Sequence, residues 1–202
     1  ARVNVAHVVP ADKLGCRDDD KSSGQFGRKL GAIVDLVKEI ISEKRDRLMV
    51  FCQFDDLKDK VREALDAGGV SSLQVRGTVL QQMAAIKVFQ KEEPADGDPC
   101  VLLLKMDDEQ SAGLNLTNLN HAVFVHPLLA GSQAEFDAYE TQAIGRIRRY
   151  GQKKTVHAWY FLANDTIDTE IVAERCQREI PAIQVDDSGQ WLHTASVAFK
   201  DN

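Results

Sequence analysis

The residues best suited to chemistry in this sequence are the arginines of residues 142–152, which read Gln-Ala-Ile-Gly-Arg-Ile-Arg-Arg-Tyr-Gly-Gln. The near-helical spacing of the apolar residues predicts a helix, on which Arg146 and Arg149, three residues apart, share a face. Each guanidinium is planar, permanently charged and rich in donors, so two of them at a helix end form a fork for phosphate. A solvated basic face is the alternative, and it is the commoner explanation for arginines on a helix. Solvation does not explain four flanking residues, which favour a binding site: Gln142, Gly145, Gly151 and Gln152.

Strand-like and helix-like segments alternate along the chain between residues 26 and 180. Short apolar runs predict five strands, at Leu48–Cys52, 71–75, 100–104, 122–125 and 156–162. Helical periodicity and stop signals predict five helices, at 26–41, from 55 to a stop at 68–69, at Val79–Gln90, at 133–149 and at 166–180. Repeated β-α-β units of this kind build an α/β fold, an open and mostly parallel sheet with helices on both faces.

Three loops follow predicted strands and therefore meet at the carboxyl edge of the sheet, where open α/β sheets bind ligands. They are residues 76–78, 105–113 and 126–132. The first loop, with a glycine before a predicted helix, is explained equally well by a plain turn. His126 opens the third loop, and it is more typical of a packed or capped histidine than of a catalyst.

The segment 142–152 resembles the last conserved helicase motif of Swi/Snf-type DNA-dependent ATPases, which belong to the helicase superfamily 2. An eleven-residue match with fixed spacing is far more specific than a lone glycine pattern. The resemblance implies a C-terminal RecA-like helicase lobe in which Arg146 and Arg149 reach across a cleft to ATP phosphates held by a partner lobe. It also implies that Gln142, Gly113 and Gly145 lie against the nucleotide.

Two further segments resemble the same family and imply contacts with duplex DNA. Residues 113–117, Gly-Leu-Asn-Leu-Thr, match a motif between strand and helix, and Phe89 matches the end of a helix that follows a Gly-Thr turn. The resemblance implies that DNA phosphates are contacted by four residues: Arg76, Gly77, Thr78 and Lys105.

The chain also departs from the family pattern. The paired glycines usual before Gly113 are replaced by an acidic stretch at 107–109, which repels phosphate and is typical of a solvated loop. An arginine usual early in the third helix is replaced by Gln-Gln-Met at 81–83, and the third loop lacks the usual tryptophan and asparagine. These departures support an alternative hypothesis, in which the chain is a degenerate helicase lobe that serves as a protein-binding scaffold in a chromatin complex.

The chain lacks a phosphate-cradling Gly-x-x-x-x-Gly-Lys-Ser/Thr loop and an acidic Mg²⁺ motif after a strand. ATP and Mg²⁺ are therefore expected on an N-terminal helicase lobe of the same polypeptide, and this chain alone is not expected to hydrolyse ATP. We divide the sequence into an N-terminal extension or linker (1–24), the lobe itself (25–180) and a C-terminal extension (181–202), in which Trp191 is the residue best suited to dock on the body.

Composition excludes several other classes. A formal charge of −6 argues against a generic basic nucleic-acid coat, although a local basic patch remains compatible with DNA. Four scattered cysteines form no metal-ligand spacing, so no zinc or other metal site is expected, and Cys52 is expected in the core. No run of 18 apolar residues and no signal peptide are visible, so no membrane partner is expected.

The resemblance implies the second motor lobe of an ATP-dependent DNA translocase that acts in chromatin remodelling or DNA repair. Its partners would be the first lobe, double-stranded DNA and possible nucleosomes, and its location would be nuclear. The scaffold described above is the alternative, and an RNA-remodelling helicase of the same superfamily is a weaker third hypothesis.

Overall fold

The computed structural model describes residues 3–9, 26–44, 46–91, 97–106, 116–163 and 166–176. The strands are β1 (Val3–Val9), β2 (Leu48–Cys52), β3 (Ser72–Gln74), β4 (Val101–Lys105), β5 (His121–Phe124) and β6 (Val156–Ala163). The helices are α1 (Arg28–Glu39), α2 (Asp55–Ala67), α3 (Val79–Gln90), α4 (Gln133–Gly145) and α5 (Ile167–Cys176). A π-helical turn, Ile40–Lys44, continues α1.

The strands form one sheet in the order β1-β6-β5-β2-β4-β3, and every pair is parallel. β2 lies in the interior of the sheet, where Leu48 is in register with Val101 of β4 on one side and His121 of β5 on the other. Parallel strands need crossover connections, and α1, α2, α3 and α4 lie in four of the five connections between consecutive described strands. The predicted α/β fold, an open parallel sheet with helices on both faces, is confirmed.

Alternate side chains of β2 enter two separate cores, as the pleat of a strand requires. Val50 and Cys52 join the core under α1 and α2, whereas Met49 and Phe51 join the core under α3 and α4. All five residues of β2 are buried, which explains their continuous apolar run. Cys52 is a core residue as predicted, and burial raises the pKa of its thiol to about 12.

The first turns of α3 differ from the sequence-based expectation. Helical periodicity in Val79–Gln90 predicts that Met83 points inward, but it is 50% exposed, and Val79 and Leu80 are also exposed. Only the second half of α3 packs on the sheet, through Ile86, Phe89 and a neighbouring alanine. The same periodicity places Ile167 on the apolar side of α5, but it is also exposed, at 60%.

The strand β1 lies inside residues 1–24, which the sequence assigned to an extension. β1 pairs along β6 at the edge of the sheet, with Val3 in register with Val156. The domain boundaries themselves stay a prediction, and Trp191 lies outside the described residues. No helix in the described part of the chain is long and apolar enough to span a membrane.

Candidate functional site

The segment of residues 142–152 begins on α4 and continues past its end. The Ser132 side chain caps α4 by accepting a hydrogen bond from the Glu135 backbone N–H at 3.2 Å. The helix ends at Gly145 rather than at residue 149, and the Arg146 N–H and Ile147 N–H donate to carbonyls three residues back. This tightening ends the regular winding of α4, so the prediction that Arg146 and Arg149 share a helix face is wrong.

Arg146 points into the lobe. Its side chain is 0% exposed, and its guanidinium carbon lies 5.4 Å from the centroid of the Phe51 ring on β2. Its carbonyl accepts a hydrogen bond from the Leu116 N–H at 3.1 Å, which joins the arginine segment to the chain just before β5. An arginine stacked on an aromatic ring keeps part of its electrostatic stabilisation without water. Arg146 is therefore an internal residue in this conformation.

Arg149 lies on the surface at the end of α4. Its Nε donates to the Gly145 carbonyl oxygen at 2.9 Å, which holds the guanidinium close to the helix end. Gln142, three residues before the end of the helix at Gly145, is also exposed. Among the described residues, a Cβ added to Gly145 would meet no other side chain or backbone within 4 Å, apart from its chain neighbours and its own helix backbone. We call Arg149, Gln142 and Gly145 the α4-end cluster, because they lie at the end of α4 and are exposed or half-buried, whereas Arg146 is buried.

Gln152 holds the arginine segment in place, a role that its sequence position did not reveal. Its Nε2 donates to the Leu119 carbonyl at 2.8 Å and to the Ile147 carbonyl at 3.2 Å, while its Oε1 accepts from the Lys154 N–H at 2.9 Å. Gly151, with φ of 96°, turns the chain so that this side chain can reach back. The flanking glutamine and glycine are thus explained by contacts within the chain.

The turn before α3 is built by its own side chains. Thr78 and Gln81 form a reciprocal capping box, in which each side chain bonds the other residue's backbone N–H. Gly77 has φ of +90°, and a Cβ there would lie 2.2 Å from Gln81 Oε1. Arg76 is exposed but its guanidinium pairs with the Asp59 carboxylate at 3.2 Å.

Lys105 at the end of β4 pairs with the Asp55 carboxylate at 3.3 Å. Asp55 also accepts from Lys58 at 2.9 Å, and this bond, followed by the one from Lys105, lowers the pKa of Asp55 despite partial burial. Both basic residues predicted to contact DNA are therefore paired with aspartates of α2. The structure brings Arg76 and Lys105 to neighbouring strands at the carboxyl edge, remote in sequence from the arginine segment.

His126 is packed, as the sequence indicated. Its Nε2 accepts the Gln53 backbone N–H at 3.1 Å, so its Nδ1 carries the proton and donates to the Pro127 carbonyl at 2.8 Å. Burial lowers the pKa of His126, against the opposing bond to Pro127. The ring is therefore neutral and serves to join the ends of β2 and β5.

Gly113, predicted to lie against a nucleotide, falls outside the described residues. Among the residues that the structure does describe, no group of three or more His, Cys, Asp or Glu side chains is arranged to hold a metal ion.

No protein-family model matches the chain. The DNA (cytosine-5-)-methyltransferase DMT5 of Cryptococcus neoformans var. grubii is 44% identical over 175 residues, which cover 87% of this chain and 7% of that protein. The DNA repair protein rad8 of Schizosaccharomyces pombe is 28% identical over 147 residues, which cover 71% of this chain and 12% of that protein. Among solved structures, the C-terminal part of the Fun30 ATPase domain matches with a TM-score of 0.61 and 20% identity, covering 91% of this chain and 54% of that chain.

The strand order, the two cores on opposite faces of the sheet and the match to the Fun30 structure identify the fold as that of a RecA-like helicase lobe. The chain is a lobe of the Swi/Snf-type helicase-like proteins, as residues 142–152 predicted. It spans 7% and 12% of the lengths of the methyltransferase and the repair protein.

Proposed function

We propose that this chain is the second motor lobe of an ATP-dependent DNA translocase of the DNA-repair or chromatin-remodelling type, which would act in the nucleus. The observation that carries the proposal is the α4-end cluster. It presents a permanently charged guanidinium beside the half-buried Gly145, where an added Cβ would meet no described residue within 4 Å beyond its chain neighbours and its own helix backbone. The resemblance of this segment to a helicase motif and the names of the relatives, a DNA repair protein among them, support the same conclusion.

In the proposed mechanism, ATP and Mg²⁺ are held mainly by a first lobe, and Mg²⁺ would supply charge neutralisation of the β- and γ-phosphates there. On lobe closure Arg149 donates hydrogen bonds to the γ-phosphoryl oxygens. Charge develops on these oxygens in the transition state, so a donor aimed at them stabilises the transition state more than the ground state. Gln142 and Gly145 would line the same approach.

Arg146 has a different place in the proposal. Its side chain has no solvent-accessible surface in this conformation, so direct contact with phosphate requires a rearrangement of the segment on lobe closure. Until then Arg146 links α4, β2 and the chain before β5. Arg149 is therefore the arginine on which the first contact with ATP depends.

Duplex DNA would lie along the carboxyl edge of the sheet, at Arg76, Gly77, Thr78 and Lys105. Contacts of this kind are made to phosphates, and they are salt-dependent and weakly sequence-specific. Repeated closing and opening of the lobes would move the protein along the duplex. When DNA binds, Arg76 and Lys105 must give up their ion pairs with aspartates to contact phosphates. The loss of these ion pairs reduces the net free energy of each phosphate contact.

The test is the ATPase activity of the full-length parent protein, with and without duplex DNA, for the wild type and Arg149→Ala. We expect duplex DNA to stimulate the wild type, and we expect the substitution to lower kcat by roughly 10³-fold, within the range for arginine fingers. Arg62→Ala is the matched control, because Arg62 forms an exposed ion pair on α2 that contributes little to stability. Wild-type activity in Arg149→Ala would overturn the proposal.

A protein-binding scaffold is the second candidate, and the ion pairs at the carboxyl edge favour it. Asp59 and Asp55 already neutralise Arg76 and Lys105, and the exposed Val79 and Leu80 lie just beyond. A full-length wild type without ATPase activity, in the presence or absence of duplex DNA, would support the scaffold. Stimulation by duplex RNA rather than duplex DNA would instead support an RNA-remodelling helicase.

A further inference from the structure

A largely buried polar network lies at the amino edge of the sheet, just before β2, β5 and β6. Its centre is Asp46, which lies just before β2 and is 8% exposed. One carboxylate oxygen, Oδ2, accepts a hydrogen bond from Asn120 at 2.9 Å and lies 3.3 Å from His121 Nε2, while Oδ1 pairs with Lys154 Nζ. On the other side of His121, the Trp159 indole N–H donates to Nδ1 at 2.9 Å.

The direction of each hydrogen bond in this network follows from the chemistry of the indole. An indole N–H is a donor only, so His121 Nδ1 must be the acceptor and Nε2 must carry the proton. His121 Nε2 then donates to Asp46. The carboxylate therefore accepts from three side chains, which is what a buried charge needs in order to be tolerated.

The network reaches the arginine segment through Lys154. This lysine follows Arg149 by five residues, and its backbone N–H donates to Gln152 Oε1. Gln152 in turn bonds the Leu119 carbonyl, next to Asn120 and His121 of the network. The chain that follows Arg149 is thus attached twice, by the Gln152 amide to the Leu119 carbonyl and by the Lys154 ion pair to Asp46.

We propose that Asp46 is a positioning residue for Arg149, acting through Lys154. This inference rests on the proposed function, because it assigns a role within the same phosphate-binding site. The Gln152 backbone N–H donates to the Arg149 carbonyl at 3.1 Å, so the turn that carries Gln152 and Lys154 also holds the Arg149 backbone. The Asp46–Lys154 pair connects that turn to a rigid part of the molecule, where His121 and Trp159 lie within the sheet. Small displacements of a catalytic group are enough to reduce a rate greatly.

A purely structural role would have a different signature. Loss of the network would then lower stability and lower the amount of active protein, without a specific dependence on Arg149. A positioning role predicts lower kcat with little change in KM for ATP, because the contact that is misplaced forms mainly in the transition state. It also predicts that the loss disappears once Arg149 has been removed.

The experiment measures kcat and KM for ATP of the full-length protein at saturating duplex DNA, for Asp46→Asn and Lys154→Gln. Lys154 is 56% exposed, so Lys154→Gln breaks the same link without disturbing the interior. Asp66→Asn is the control, because it makes the same chemical change in the exposed Arg62 pair. We expect kcat to fall roughly 10-fold in both test variants and to stay unchanged in the control.

Each variant is then combined with Arg149→Ala, and the residual turnover is compared with that of Arg149→Ala alone. We expect no further loss in the combined variants. Losses that multiply, or wild-type kcat in a folded Lys154→Gln, would overturn the positioning role while leaving the proposed function intact. Wild-type activity in Arg149→Ala alone would instead overturn the proposed function.

Discussion

Arg146 and Arg149 show how much two residues of one type can differ at a separation of three positions. Arg146 lies inside the lobe against the Phe51 ring, and Arg149 lies on the surface against the end of α4. Removal of a large buried side chain leaves a cavity and unsatisfied neighbours, whereas truncation of an exposed side chain does neither. The two arginines should therefore have separable effects on stability and activity.

We expect Arg146→Ala to lower the free energy of unfolding of this chain by about 2–4 kcal/mol. Arg149→Ala should change it by less than about 0.5 kcal/mol. Urea denaturation monitored by circular dichroism measures both values. Equal m-values for the wild type and the two variants would confirm that each unfolds in the same two-state transition. Equal destabilisation by the two substitutions would mean that Arg149 is also an internal residue.

At the scale of elements, the start of α3 depends on a glycine that has to adopt a positive φ. An alanine at position 77 would keep φ near +90° at a cost, and its Cβ would collide with the Gln81 side chain that completes the capping box. Gly145, at the end of α4, has helical neighbours and open space around it, so the same change there meets no obstacle.

We expect Gly77→Ala to destabilise this chain by about 1–3 kcal/mol, because backbone strain is added and a helix cap is lost. Gly145→Ala is the matched control, and it should be neutral or stabilising by up to about 1 kcal/mol, since alanine favours helix. Thermal unfolding of the two variants side by side measures the difference. An unchanged midpoint in Gly77→Ala would show that the turn before α3 relaxes without cost.

At the scale of the whole molecule, the ion pairs between distant segments make stability depend on pH. Burial alone would raise the pKa of Asp46, but the hydrogen bond from Lys154, with those from Asn120 and His121, outweighs it and lowers the pKa below the ordinary value of 3.8. A carboxyl group whose folded-state pKa is depressed stabilises the fold above its unfolded-state pKa. That contribution is lost as pH falls through the folded-state pKa.

We therefore expect the free energy of unfolding of the wild type to fall as pH is lowered from about 4, through loss of the Asp46 charge. Asp46→Asn should be less stable than the wild type near neutral pH and should lose less stability on acidification. Denaturation midpoints measured between pH 2 and pH 6 for both proteins provide the comparison. Parallel curves would assign the acid sensitivity to other carboxylates, among them Asp55, whose pKa is also lowered.

Local patterns in the sequence were enough to predict most elements and the class of lobe. The apolar run Leu48–Cys52 and the helix Val79–Gln90 match the structure residue for residue. Both depend on features that lie within a few positions of each other, namely continuous hydrophobicity in β2 and a turn followed by helical residues in α3. The family resemblance is also local, since it is carried by the contiguous residues 142–152.

The tertiary structure decided which residues of the candidate site are accessible and which charges are neutralised. The end of α4 at Gly145 buries Arg146 and exposes Arg149, although helical periodicity alone predicted a common face. The pairs of Asp59 with Arg76 and of Asp46 with Lys154 join segments separated by 17 and 108 residues. Such contacts depend on which strands become neighbours in the sheet, and periodicity within a segment carries no information about that choice. The sequence by itself therefore determined most of the elements and the family of this protein, and the packing of the sheet determined the geometry of its site.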